Sequence, residues 1–247
     1  MQLNENDKAA ATFAPIWQPI ERIYCISLQD RRDRQASVKD QFARVGLDRR
    51  VEFFLARRHP ADCEKGIFES HQTCLKKGLA DGARHILVFE DDVVFGSIDT
   101  RRVAESIDAF IRQEDCSILH LGAIVDASRP TGMPGIRSVR YRCLTHAYLI
   151  KAALARRIAG QSWQRQPFDT VLRNCTARHL ALYPSIAFQS NSPSDNSRHR
   201  TLDTIRRLCG GLRLIQWVNE RYQRYRYAVI AAHVLVVGAL ILWILIG

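Results

Sequence analysis

A short run, "HILVFEDDVVF" (His85–Phe95), limits the architectures open to this chain more than any other. Ile86 to Phe89 are apolar without a break. A run this short reads as a strand covered on both faces, the environment of a parallel sheet between layers of helices. It then stops at three adjacent carboxylates, Glu90, Asp91 and Asp92. Parallel sheets collect their ligands at the carboxyl ends of strands. Like charges crowded there need a cation or hydrogen-bond donors to offset them. A hard divalent ion, Mn²⁺ or Mg²⁺, held by one or two carboxylates and by substrate phosphates, meets that need. If the strand persists, Glu90 and Asp92 point to one side and Asp91 to the other. Glu90 and Asp92 are then the metal pair, and Asp91 meets a different group. A solvated acidic turn is the alternative.

The rest of the first two hundred residues alternates strand and helix. Strands are expected at Arg22–Leu28, Val51–Ala56, 117–125 with a break at Gly122, 142–150 and 180–189. Between them, Val38, Phe42 and Val45 fall at helical spacing before Gly46, and Val103, Ile107, Phe110 and Ile111 form a second stripe. The stretch 70–83 reads as a helix opened by Ser70, with Cys74, Leu75 and Leu79 inward and Gly82 at its end. Residues 151–160 read as a helix and 168–178 as a short helix or turn. This pattern indicates an α/β domain with a mostly parallel sheet over residues 21–200. Residues 1–20 read as a flexible lead-in without the basic start and apolar run of a signal peptide.

Charge and cysteine content narrow the surroundings. The net charge is +11, and only six of the 36 basic residues are Lys. The Arg fork suits phosphate, so the balance fits nucleic acid, anionic lipid or a nucleotide-bearing substrate, or reflects codon usage alone. No nucleic acid is expected as a partner, because no helix-turn-helix, RNA-recognition or zinc pattern accompanies the charge. The seven Cys are scattered with no C-x-x-C pair, which argues for a reducing compartment and against a disulfide framework.

At the far end, residues 228–246 form an uncharged stretch of about 19 residues, about 28 Å as a helix, close to a bilayer's hydrocarbon thickness. Arg221, Arg224 and Arg226 with three Tyr flank it. That flank predicts a C-terminal transmembrane helix holding the domain on the cytoplasmic side, with membrane lipid as a partner. In 201–227, Leu208, Leu212 and Ile215 share a face with Ile205. This segment reads either as a basic amphipathic juxtamembrane element or as a last helix packed on the domain.

The stretch from Lys65 to Phe95 resembles the central motif of glycosyltransferase family 25, the lipopolysaccharide and lipooligosaccharide galactosyltransferases. The shared residues are Gly66, then Ser70 and His71 opening a helix, then a strand ending in Glu90, Asp91 and Asp92. "YCISLQDRRDR", "SILHLG", "THAYLI", "FDTVL" and "PSIAFQSNSPSDNSR" are similar to further family segments in the same order, with Pro184, Gln189, Ser194 and Asp195 in register. The resemblance covers residues 22–200. Two positions depart from it: Ser27 stands where the family has Asn, and Ile67 where a Cys follows the Gly.

The resemblance implies a GT-A-like fold binding a nucleotide sugar, most often UDP-galactose. It implies transfer of the hexose to a glycan or glycolipid acceptor such as lipopolysaccharide, at the bacterial inner membrane. A metal on Glu90 and Asp92 would neutralise the departing diphosphate. Arg31 and Arg34 would hold donor phosphates, unless Arg31 belongs to a solvated helix face. An inverting transfer needs a base for the acceptor hydroxyl. Asp169 is the first candidate and Asp91 the second, although Asp169 could simply cap a helix. Ser70, His71 and Asp195 complete the expected donor site. His71 could instead be structural behind the metal, and Asp195 could form an Asx-turn. The alternative to an active enzyme is a tail-anchored scaffold of the same fold.

Overall fold

A computed structural model describes residues 5–115, 117–191 and 211–246. Its centre is an eight-stranded sheet of β1 (Arg22–Leu28), β2 (Val51–Ala56), β3 (His85–Glu90), β5 (Ser117–His120), β6 (Ile124–Pro130), β7 (Ile136–Cys143), β8 (Ala147–Lys151) and β9 (Arg178–Leu182), ordered β2-β1-β3-β8-β5-β9-β7-β6. β1 pairs in parallel with β2 and β3, and β5 with β9; β8 runs against β3 and β5, and β7 against β9 and β6. Six of the eight strands therefore point one way. A separate two-stranded ribbon joins β4 (Val93–Phe95) to β10 (Ala187–Gln189).

Alternation along β3 assigns its side chains to two cores. Leu87 and Phe89 pack with Val38 and Phe42 of α2 (Arg32–Arg44) and Val103, Ile107 and Phe110 of α4 (Thr100–Ile111). Ile86 and Val88 face Phe68, Cys74 and Leu75 of α3 (Cys63–Ala80), with α5 (Ala152–Ala159) and α6 (Phe168–Asn174) alongside. Glu90 is next in the Ile86–Val88 series, so it emerges on the α3 side.

Three expectations change here. The lead-in is a helix, α1 (Glu5–Trp17), whose Ile16 and Trp17 are buried, with the Trp17 indole donating to the Val45 carbonyl at 2.7 Å. The helix expected to open at Ser70 begins at Cys63. Asp62 caps it by accepting from the Glu64 and Lys65 amides at 3.0 and 3.4 Å, and Ser70 sits two turns inside. β7 lies largely in residues 136–141, where no strand was expected.

The largest correction concerns the C-terminus. Among the described residues, no helix is long and apolar enough to cross a membrane. The expected transmembrane anchor, the inner-membrane location and the lipid partner fall with that finding. Residues 211–227 are instead the first half of one helix, α7 (Gly211–Ile246), and they dock on the domain. Gln216 donates to the Ala187 carbonyl (2.9 Å), Glu220 accepts the Ser185 amide (2.9 Å), and Asn219 takes both backbone groups of Val125 (3.0 and 2.9 Å). Val125 lies at a register break in the β6–β7 pairing, where the ladder leaves backbone groups to be met by other partners. The break expected near Gly122 is real and tightly packed: a Cβ there would lie 1.9 Å from the Ala187 carbonyl oxygen. Residues 201–210 of the expected juxtamembrane segment lie outside the described residues.

Candidate active site

The carboxyl ends of β1, β2 and β3 open into a cleft of about 940 Å³ whose wall includes Ser27, Arg34, Glu90, Asp91, Asp92 and Asp169. β3 ends at Glu90, and a turn at Asp91–Asp92 leads into β4. The three carboxylates therefore diverge, because the chain has left the strand before the last two.

Glu90 meets α3. Its Oε1 lies 3.2 Å from His71 Nε2 and accepts the Thr145 hydroxyl at 2.5 Å. His71 is fully buried, with Nδ1 2.9 Å from the Tyr148 hydroxyl and its ring on Phe168. An ionised carboxylate only accepts, so the arrangement requires the proton on Nε2. Burial pushes the Glu90 carboxyl up, but His71 and Thr145 together outweigh it and hold the group below the ordinary range.

Asp91 turns toward β1 and α2. Its Oδ2 accepts from Ser27 at 2.6 Å and its Oδ1 from Arg34 Nη1 at 3.0 Å. Both Arg34 and Asp91 are about nine-tenths buried. Burial still lifts Asp91 above its ordinary value, against the pull of Ser27 and Arg34. The serine that departs from the family pattern thus holds Asp91.

Asp92 faces the ribbon. Its Oδ2 accepts from Gln189 Nε2 at 2.6 Å, and its backbone carbonyl accepts the Ser190 amide at 2.7 Å. Among the described residues its Oδ1 is buried with no hydrogen-bond partner. Burial and the nearby charge of Glu90 push the carboxyl up to about 7. Two neighbouring carboxylates, one with an orphaned oxygen, fit a cation. Among the described residues, however, no group of three or more His, Cys, Asp or Glu is placed to hold a metal by itself. A cation held there would need further ligands to complete its coordination.

Asp169 lies in the first turn of α6, and its Oδ1 accepts the Tyr141 phenol at 2.5 Å. Burial raises it to about 6, opposed by that hydrogen bond. Glu90, Asp91, Asp92, Arg34, Ser70, His71 and Asp169 all line the cleft. The Ser70 hydroxyl is engaged with the Gly66 carbonyl at 2.7 Å. Arg31 is not brought in: it forks onto Asp33 at 2.9 and 2.8 Å and does not line the cleft. Asp195 lies outside the described residues. Sequence alone assigns no role to Thr145, Tyr148, Gln189 or Tyr141. The first three sit in stretches that resemble the family, and only Tyr141 carries no signal.

No protein-family model matches the chain. One stretch is 32% identical over 108 residues to the lacto-N-neotetraose biosynthesis glycosyltransferase LgtB of Neisseria meningitidis serogroup B. The match takes in 36% of this chain and 38% of LgtB, well under two thirds of that relative. Among solved structures, a glycosyltransferase involved in glycosylation of the major capsid of PBCV-1 overlaps 74% of this chain and 98% of its own, at 7% identity and a TM-score of 0.44. A197 from STIV overlaps 68% and 83%, at 14% identity and 0.44. The mannose-1-phosphate geranyltransferase of Thermus thermophilus overlaps 73% and 64%, at 14% identity and 0.40.

Proposed function

We propose that this chain is a metal-dependent glycosyltransferase that moves a hexose, galactose from UDP-galactose in the first instance, to a glycan or glycolipid acceptor such as lipopolysaccharide. The partial identity to LgtB and the family 25 motifs support sugar transfer. The observation that carries the reading is the partnerless Oδ1 of Asp92, a residue that lines the cleft together with Glu90.

Glu90 and Asp92 would hold Mn²⁺ or Mg²⁺ together with donor diphosphate oxygens. The bound ion supplies Lewis acidity and charge neutralisation as the diphosphate leaves. The remaining work falls to the chain's own side chains. Arg34, anchored by Asp91, presents fixed positive charge beside the metal pair. His71 and Thr145 fix the orientation of Glu90. Asp169 takes the acceptor hydroxyl proton as the sugar carbon is attacked, giving inversion. A carboxyl near 6 is ionised at neutral pH and basic enough to accept that proton. Asp91, committed to Ser27 and Arg34, is the weaker candidate base.

The test is a screen of nucleotide sugars with Mn²⁺ or Mg²⁺, using wild type and Asp92→Ala. One UDP-hexose should be turned over, only with metal, and the substitution should abolish turnover in a folded protein. Transfer at full rate by Asp92→Ala, or in the presence of a chelator, overturns the proposal.

A further inference from the structure

Tyr141 is central to a feature that sugar transfer as described does not use. Its ring, 2% exposed, lies parallel to His120 (centres 4.2 Å apart, planes 5°) and to His179 (5.4 Å, 6°). The two imidazoles stand 5.5 Å apart at 7°, joined by a 3.1 Å contact between His120 Nε2 and His179 Nδ1. Burial keeps both below the ordinary histidine range, with their mutual repulsion adding to the effect at His120. As neutral rings, one donates and the other accepts. Three flat rings clamped together leave the phenol one direction, and in that direction is Asp169 Oδ1.

We propose that Tyr141 is the positioning residue of the base: the stack with His120 and His179 immobilises its phenol, which holds the Asp169 carboxylate in one orientation in the cleft wall. This rests on the reading of Asp169 as the base. An ionised carboxylate offers no proton, so the phenol must be the donor. Burial and the Asp169 charge push the Tyr141 phenol up, so it stays protonated through the working range. The groups acting on the pair are few. Tyr141 faces Asp169, Cys143 and Glu90, while Asp169 faces Tyr141, Glu90, Glu64 and the Leu144 backbone; His146 acts on the stack through His120. A purely structural tyrosine would also bond a buried carboxylate, so the decisive readout is proton affinity.

The experiment labels Asp carboxyl carbons in the full chain without ligand and follows Asp169, identified by the signal lost in Asp169→Asn, against pH. Tyr141→Phe deletes one oxygen and keeps the stacked ring. It should raise the Asp169 midpoint by about one pH unit, a roughly tenfold gain in proton affinity. It should also lower kcat more than it raises KM near pH 6, with part of the loss recovered at pH 8. If Tyr141→Phe does not fold, His120→Leu loosens the stack while keeping the phenol and should move the midpoint the same way by less. An unmoved midpoint in the folded variant, with Asp169→Asn inactive, sinks the positioning role alone. Full activity of Asp169→Asn sinks the base reading and the positioning role together.

Discussion

The imidazole of His71 lies flat on the Phe168 ring, centres 4.0 Å apart and planes within 5°, while its Nε2 stands 3.2 Å from Glu90. Phe168 is the residue before Asp169, so one stack ties Glu90 to the proposed base. His71→Ala removes the stacking surface and the donor. It should cost about 3 kcal/mol in urea unfolding and lower kcat/KM by roughly 10- to 100-fold. His71→Phe keeps a ring on Phe168 and should recover much of the stability but none of the rate. Wild-type turnover by His71→Phe would show that the orientation of Glu90 is unimportant.

Asp92 and Asp169 give a pH dependence of definite sign. Both hold their proton more tightly in the folded chain than in the unfolded one, with folded values near 7 and 6. Their stabilising contribution is complete below about pH 4 and is lost as pH rises through those values. Glu90 acts oppositely, because it is depressed, but only below its unfolded value. The buried His85, His120, His146 and His179 act the other way across this range, because burial holds their protons more loosely than in the unfolded chain. The carboxyl contribution is therefore read as a difference: from pH 5 to pH 8, metal-free wild type should lose roughly 1–3 kcal/mol relative to Asp92→Asn. Mn²⁺ should restore stability at pH 8 to wild type and not to Asp92→Asn. A difference of the opposite sign between the two proteins in urea titrations would contradict this account.

Arg34 and Asp91 form a buried pair at 3.0 Å. Removing one partner leaves the other charged in a dry site, so Arg34→Ala should destabilise by about 3 kcal/mol or more. Arg34→Ala combined with Asp91→Asn should recover part of that loss in a double-mutant cycle. Both forms should raise the KM for the nucleotide sugar, because the fixed cation is gone. An unchanged donor KM would remove Arg34 from the donor site.

The docking of α7 is testable without substrate. Asn219→Ala leaves the Val125 amide without its partner and the Val125 carbonyl with only the longer 3.3 Å bond from Gln223, at a cost of about 1–3 kcal/mol. Gly122→Ala places a methyl 1.9 Å from the Ala187 carbonyl and close to the Gln216 side chain. It should be worse, because the neighbour that must move is backbone on one side. Thermal unfolding of the two variants should rank them in that order.

The acidic cluster shows how far local pattern reaches. Strand β3 and the alternation that sends Glu90 and Asp91 to opposite sides were legible, because a two-residue period is a local property; which helix covers each side was not. The pairing of Glu90 with Asp92 on one face was expected for a persisting strand; the chain instead turns at Asp91, and the β4–β10 ribbon sets where Asp92 points. Arg31 and Arg34 stand three residues apart in an Arg-rich turn, and the sequence left only Arg31 open to a solvated helix face. Only the start of α2 separates them, giving Arg34 to Asp91 and Arg31 to Asp33.

By itself the sequence determined the alternation of strands and helices, the two buried faces of β3 and the gathering of acids at its carboxyl end. These follow from periodicity and from the cost of burying charge, both local properties. The tertiary structure alone decided the antiparallel insertion of β8 and the clamp of Tyr141 on Asp169. It also decided the fate of the last helix, which binds the domain through the stripe Gln216, Asn219, Glu220 and Gln223. A polar stripe reads as solvent-facing until the backbone groups it satisfies, at the irregular β6 edge and next to β10, have been brought beside it. That is a long-range relationship, and no local pattern carries it.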